Sequence, residues 1–170
     1  MILSVVSYPN DILKQKAKPI LEITPEIKKL SEDMLDTMYA NKGIGLAANQ
    51  VGILLRIIVI DLQEEEPFNP IVLINPEIIE KSEELEEGNE GCLSIVGISA
   101  TVKRFAQVKV AYTNLNGEKE IIQGSGLLSA CLQHEIDHLD GILFIDRISK
   151  LKRGMLIKKY KKSQEEKEDN

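Results

Sequence analysis

Tryptophan is absent from this 170-residue chain, and aromatic residues make up only 4% of it. The apolar share, 43%, is ordinary, and the length is that of one domain with a real core. Cysteine is scarce: Cys92 and Cys131 make no disulfide framework, and as free thiols they suit a reducing cytosol. Basic residues fall short of acidic ones, 21 against 27, for a net charge of −6. That deficit argues against broad nucleic-acid binding and excludes DNA as an expected partner, leaving only a local basic patch open. Long hydrophobic runs are missing too. The longest, Val51 to Ile60, is broken by Gly52 and Arg56 and falls well short of the roughly 20 residues a membrane helix needs. Met1 to Val6 has no basic n-region, so no signal peptide is predicted and the expected location is the cytoplasm.

Histidine is as scarce as cysteine, yet both copies stand together in His134-Glu135-Ile136-Asp137-His138. On a helix, residues four apart share a face, so two imidazoles can grip one metal ion. Glu135 beside them can handle protons for a water that the metal activates. The surroundings read as a buried helix: Leu127, Leu128, Ala130, Cys131, Leu132, Ile136 and Leu139 leave almost no polar face. Ser125 is placed to be its N-cap and Gly141 its stop. Paired histidines on a helix can also be plain hydrogen-bonded core residues, so a third ligand decides the matter.

Along the chain, Pro9-Asn10-Asp11 predicts a short helix to about Lys16, and Thr24 with Pro25 begins a second. Ile27, Leu30, Met34, Leu35 and Met38 form its apolar stripe, and Gly43 ends it. Leu54 to Leu62 reads as a buried strand, and Glu64 to Pro70 as a loop. Ile71 to Ile74 reads as a short strand ended by Asn75-Pro76, and Ile78 to Leu85 as a further strand. Val108 to Thr113 and Glu118 to Gln123 flank a hairpin turn at Asn114 to Gly117. A short segment at Leu143 to Ile145 precedes a last helix from about Ser149, with Ile148, Leu151 and Met155 as its anchoring face. Residues 163–170 are expected to be a disordered acidic tail behind a single domain of residues 1–162. No repeat or linker appears. Strands in the middle and helices at the ends predict an α+β fold of mostly antiparallel strands around the central helix.

Gly43-Ile44-Gly45-Leu46-Ala47-Ala48 matches a dinucleotide fingerprint, but that motif works only between a strand and a following helix. Here a helix precedes it and a strand follows. The alternatives are a plain helix stop, or small residues that let a substrate lie against the backbone, with Gln50 as a polar hand. For the third ligand, Cys131 shares the helix with the histidines. Its seven-residue separation from His138 is about 10 Å along the axis, which points to core or pocket wall instead. Cys92, in Glu90-Gly91-Cys92-Leu93-Ser94, lies at a kink between extended segments and can approach from outside. A Cys-His-His set leaves a fourth position open, as catalytic sites do, and suits zinc or iron(II) in place of magnesium or calcium.

Gly43 to Gln50, Glu90 to Ser94 and His134 to His138 together resemble the three signature motifs of the peptide deformylases, in the right order and over nearly the whole chain. The final helix resembles that of the bacterial members. The resemblance implies a cytosolic metal-dependent hydrolase that removes formyl from the N-terminal formylmethionine of nascent polypeptides. It implies one divalent metal ion per chain, Fe2+ in most members, with Zn2+, Ni2+ or Co2+ able to substitute. On it, Cys92, His134 and His138 are ligands and Glu135 moves the proton. Gln50 and the Leu93 backbone N–H hold the oxyanion. Gly45 pairs with the peptide, and Ile44, Leu127 and Cys131 wall the methionine pocket. Glu90 would steady the site, by pairing with Arg104. Val96-Gly97 stands where members commonly have Pro, Ser99 where an Arg is often found, and Gly88 and Ala130 where bulky apolar residues are common. These departures imply a roomier rim and pocket.

Two rivals share features of the site. A zincin-like peptidase has the same histidine pair but needs a further His or Glu downstream; no third His exists, and Glu165 lies in the tail. A metal-stabilised binding module needs neither Glu135 nor an open coordination position. One local basic patch does occur: Lys150, Lys152, Arg153, Lys158, Lys159, Lys161 and Lys162, uninterrupted by an acid. It is either a solvated helix face or a dock for a polyanion, which for a deformylase-like enzyme is the ribosome.

Overall fold

The computed structural model describes residues 1–169. Strands β1 (Gly45–Ala47), β2 (Ile57–Ile60), β3 (Ile71–Lys81), β6 (Gln107–Thr113) and β7 (Lys119–Ser125) form one antiparallel sheet in the order β1-β2-β3-β6-β7. Strands β4 (Leu85–Cys92) and β5 (Ile95–Phe105) form a separate hairpin. Three α-helices complete the fold: α1 (Pro25–Ala40), α2 (Gly126–Leu139) and α3 (Lys150–Glu168). This is the expected α+β arrangement.

The sheet lies between α1 and α2, and β2 shows why its sequence is apolar at every position. Ile57 and Val59 pack with Leu30, Met34 and Met38 of α1, while Ile58 and Ile60 pack with Leu132, Ile136 and Leu139 of α2. A strand covered on both faces reads as a continuous hydrophobic run instead of an alternating one. Arg56, the charge beside that run, sends its guanidinium to the Leu139 carbonyl (3.0 Å) and to Asp140 (3.0 Å), where a cation suits the C-terminal end of α2.

Both helices next to the sheet end in Schellman turns. In α2, Gly141 takes a φ of 76°, with Gly141 N–H on the His138 carbonyl and Ile142 N–H on that of Asp137. In α1 the left-handed position falls to Lys42 (φ 58°), and Gly43 comes one residue later, donating to the Met38 carbonyl. Gly43 therefore does not supply the turn; a Cβ there would sit 2.8 Å from the Leu93 side chain.

Four expectations change. The strand from Ile71 does not stop at Asn75-Pro76. It continues to Lys81 through a register shift, with Asn75 at φ 51° and its amide bonded to both the N–H and the carbonyl of Ile20. Gly45–Ala47 and Ile95–Phe105, for which the sequence pattern predicts no named strand, are β1 and β5. The last helix does not anchor through Leu151 and Met155, which are 76% and 64% exposed. Tyr160, buried against Tyr8 with its hydroxyl on the Tyr8 carbonyl, fixes the rotation of α3. At about 100° per residue, Leu156 and Ile157 then face inward and Leu151 and Met155 outward. Finally, residues 163–168 are helical rather than a disordered tail. Gln164, Glu165, Glu166, Lys167 and Glu168 are good helix formers, and Glu165 and Glu166 lie one turn beyond Lys161 and Lys162.

The α2 stop has a measurable consequence. A Cβ on Gly141 would run into the Lys14 carbonyl, whereas nothing lies within 4 Å of one on Gly117, the φ 81° residue of the β6–β7 turn. Gly117→Ala should cost about 1–2 kcal/mol, the backbone penalty alone, and Gly141→Ala about 3 kcal/mol or more. Urea unfolding measures both; equal losses would remove the close approach to Lys14 from the account.

Candidate metal centre and cleft

Three segments distant in sequence meet at one end of α2. Burial of the apolar stripe of α2 against the sheet leaves His134 and His138 facing the β4–β5 hairpin and Glu135 facing Gly45 of β1. Cys92 closes β4, where a tight turn pairs it with Ile95. The result brings one donor atom each of Cys92, His134 and His138 within 4.8 Å of one another. Cys92 Sγ lies 3.4 Å from His138 Nε2. A tetrahedral metal with sulfur at about 2.3 Å and nitrogen at about 2.0 Å would hold such atoms about 3.5 Å apart, so the set fits a metal of this type. Cys131 lies outside it. Its buried thiol sits 3.9 Å from the Ile44 carbonyl, and burial pushes its pKa well up, away from the thiolate form a metal needs.

Within this candidate set, His134 is held from behind. His134 Nδ1 donates to Glu90 Oε1 at 2.8 Å, which aims the other ring nitrogen at the cluster. Arg104 forks the same carboxylate through Nε (2.9 Å) and Nη2 (2.8 Å), and its Nη1 reaches Asp137 at 2.6 Å. Burial alone would raise the pKa of Glu90, but the bonds from Arg104 and His134 outweigh it and hold it at about 2. For His134, burial works against the charged ring, yet the bonds to Cys92 and Glu90 lift it to about 10. Positive charge is favoured there, so a proton and a metal ion compete for the same nitrogen. His138 is pushed the other way, well below the ordinary range, by burial and by the charge on His134.

Glu135 is buried on the cleft side of the cluster. Its Oε1 has no protein partner among the described residues, and burial raises its pKa to about 7. Gly45 of β1 lies directly against it: a Cβ there would collide with Glu135 Oε2 and come within 3.0 Å of Cys131 Sγ. Gln50 is fixed by accepting from Ala47 N–H (3.0 Å), which leaves its amide NH2 on Ser94 Oγ (3.1 Å) and Cys92 Sγ (3.4 Å).

These groups open into a cleft of about 640 Å3 lined by Ile44, Gly45, Gln50, Cys92, Leu93, Leu127, Cys131, His134 and Glu135, with His138 sealed behind them. Every residue singled out in the sequence for substrate or oxyanion contact thus borders one space. Val96, Gly97, Gly88 and Ala130 line it as well, and nothing lies within 4 Å of a Cβ built on Gly88. Sequence reasoning overlooked three groups. Ser94 holds the Gln50 amide, Phe144 stacks on the His134 ring with centroids 6.2 Å apart, and Arg147 forks Asp137. Aromatic and charged residues near the histidine motif were the only signal available for the last two.

The family model described as polypeptide deformylase matches residues 2–154. The peptide deformylase of Bartonella tribocorum is 48% identical over 167 residues, covering 96% of this chain and 94% of its own. The crystal structure of the Ehrlichia chaffeensis peptide deformylase superposes with a TM-score of 0.93 at 38% identity, over 98% of this chain and 99% of that one. The Acinetobacter baumannii peptide deformylase, solved with Met-Ala-Ser bound, gives a TM-score of 0.83 at 37% identity, over 87% and 99% of the two chains. With the three motifs gathered around one cleft, the chain belongs to the peptide deformylases, metal-dependent hydrolases that remove the N-formyl group of nascent polypeptides.

Proposed function

We propose that the chain deformylates N-terminal formylmethionine through Cys92, His134, His138, Glu135, Gln50 and Leu93. The observation that carries this reading is the Cys-His-His cluster with a buried, partnerless carboxylate oxygen beside it, in a cleft bordered by a strand edge. Strand β1 pairs with β2 on one side only, so its other edge is open to an extended peptide. Gly45 supplies backbone contacts there, and Ile44, Leu127 and Cys131 border the methionine side chain.

Cys92, His134 and His138 would hold a divalent metal, which would supply Lewis acidity and lower the pKa of the attacking water. Glu135 accepts the proton of that water and passes it to the amine as the formyl C–N bond breaks and formate leaves. The Gln50 amide and the Leu93 N–H donate to the oxyanion that develops on the formyl oxygen. Thiolate with two imidazoles suits iron(II), the metal we assign; zinc, nickel and cobalt fit the same donors. The zincin alternative lacks support, since the third ligand is a cysteine from a hairpin and not a downstream His or Glu.

The place of action proposed is the cytoplasm, where formylmethionyl chains are made. No helix among the described residues is long and apolar enough to cross a membrane. The ribosome is the proposed partner, through α3. Lys158, Lys159, Lys161 and Lys162 are all exposed, and Tyr160 between them faces the body.

Protein purified without oxygen should release formate from formyl-Met-Ala-Ser, and Glu135→Ala should cut kcat/KM by about 10²–10⁴ or more at unchanged metal content. Near wild-type turnover would take Glu135 out of the chemistry. Filling the space at Ala130 with Ile should narrow the range of formylated residues accepted, at about 1–3 kcal/mol per methylene in contact. Unchanged relative kcat/KM for formyl-Met and larger formylated residues would contradict the roomy pocket. Reversing Lys158, Lys159, Lys161 and Lys162 to Glu should weaken low-salt cosedimentation with ribosomes while kcat/KM on the short peptide stays the same; equal sedimentation would refute the docking role.

A further inference from the structure

We propose that Arg147 is a positioning residue for the metal centre, closing from outside a chain of ion pairs that ends on the His134 ring. The inference rests on the metal-site reading given above. The chain begins at His134 Nδ1 on Glu90 (2.8 Å) and passes through the Arg104 fork on Glu90 to Arg104 Nη1 on Asp137 (2.6 Å). It ends at Arg147, whose Nε and Nη2 take the two oxygens of Asp137 at 3.0 and 2.8 Å. Side-chain exposure is 10% for Glu90, 6% for Arg104 and 12% for Asp137, but 46% for Arg147. The first three are largely buried and each is held from two sides. Arg147 is the most exposed member of the chain.

Asp137 stands three residues after His134 and immediately before His138, so the turn of α2 that carries it carries both ligands. With Arg147 removed, one side of Asp137 would face solvent in place of a fork. The Asp137 carboxylate could then rotate, Arg104 would follow its partner, and the Glu90 acceptor that sets the His134 ring would lose its fixed position. A second contact from the same segment points the same way. Arg147 ends the short 3₁₀ turn Phe144–Arg147, and the Phe144 ring stacks on His134 at 18° between planes. One turn thus holds the ligand both by its aromatic face and, through three side chains, by its Nδ1.

The test is metal retention in holoprotein loaded with cobalt(II), read by transfer to a chelator and by the visible absorption of the bound ion. Arg147→Met should release cobalt about tenfold faster than wild type and alter its absorption, within the range typical for loss of an outer partner of a ligand. Arg147→Lys, which keeps the charge but not the fork, should recover part of the difference. Arg153→Met serves as the control: Arg153 pairs with Asp146 (3.3 Å) at the start of α3, outside the chain, and its loss should leave release unchanged. Being half-exposed, Arg147 can be replaced without opening a cavity, and unfolding midpoints measured in parallel separate stability from retention. Equal release by wild type and Arg147→Met, or the same acceleration in Arg153→Met, would overturn the proposal alone. A wild-type protein that binds no cobalt would overturn the metal site and this inference with it.

Discussion

The helix α2 lies in the core with two imidazoles and a carboxylate on one face, and none of these groups can rest in an apolar setting without a partner. Much of the fold supplies those partners. The β4–β5 hairpin contributes nothing to the five-stranded sheet; it brings Cys92 to the histidines and sets Glu90 and Arg104 behind them. Strand β1, only three residues long, places Gly45 against Glu135. The partnerless Glu135 oxygen is left beside the cleft where chemistry is proposed.

Charge is balanced around this helix without being neutralised at the ligands. Two carboxylates, Glu90 and Asp137, alternate with two guanidiniums, Arg104 and Arg147; Arg104 and Asp137 each meet opposite charge on two sides, and Glu90 meets Arg104 on one side and the His134 N–H on the other. A buried ion pair is a poor source of stability when set against apolar packing, but breaking one side of it is costly. An arrangement of this kind resists movement more than it strengthens the fold, which is what ligands of a metal ion require.

The helices and the site were legible in the sequence where the physics is local. The α2 stop at Gly141, the Thr24–Pro25 start of α1 and the spacing of His134 and His138 are all short-range patterns. Preference for Cys92 over Cys131 followed from the rise of a helix, and the structure brings Cys92 alone to the histidines. What escaped was decided by distant contacts. Strand β1 has glycine and alanine at its ends and exists because β2 pairs with it. Leu151 and Met155 have the spacing of an anchor, but Tyr160 and its contact with Tyr8, 152 residues away in sequence, chose the buried face. Lists of charged residues do not say which guanidinium meets which carboxylate, so Arg147 looked like any other surface base.

The contact between Gly45 and Glu135 also bears on how this protein can evolve under attack. A compound that lies along β1, where we propose the peptide pairs, would rest on a backbone position where an added Cβ intrudes on the Glu135 carboxylate. The simplest route to resistance, a bulkier residue that shuts the compound out, would at that position displace the Glu135 carboxylate to which we give the proton-transfer role. A change at Gly88, where nothing lies within 4 Å of an added Cβ, meets no such obstacle, and an inhibitor designed for durability would draw its contacts from the β1 side.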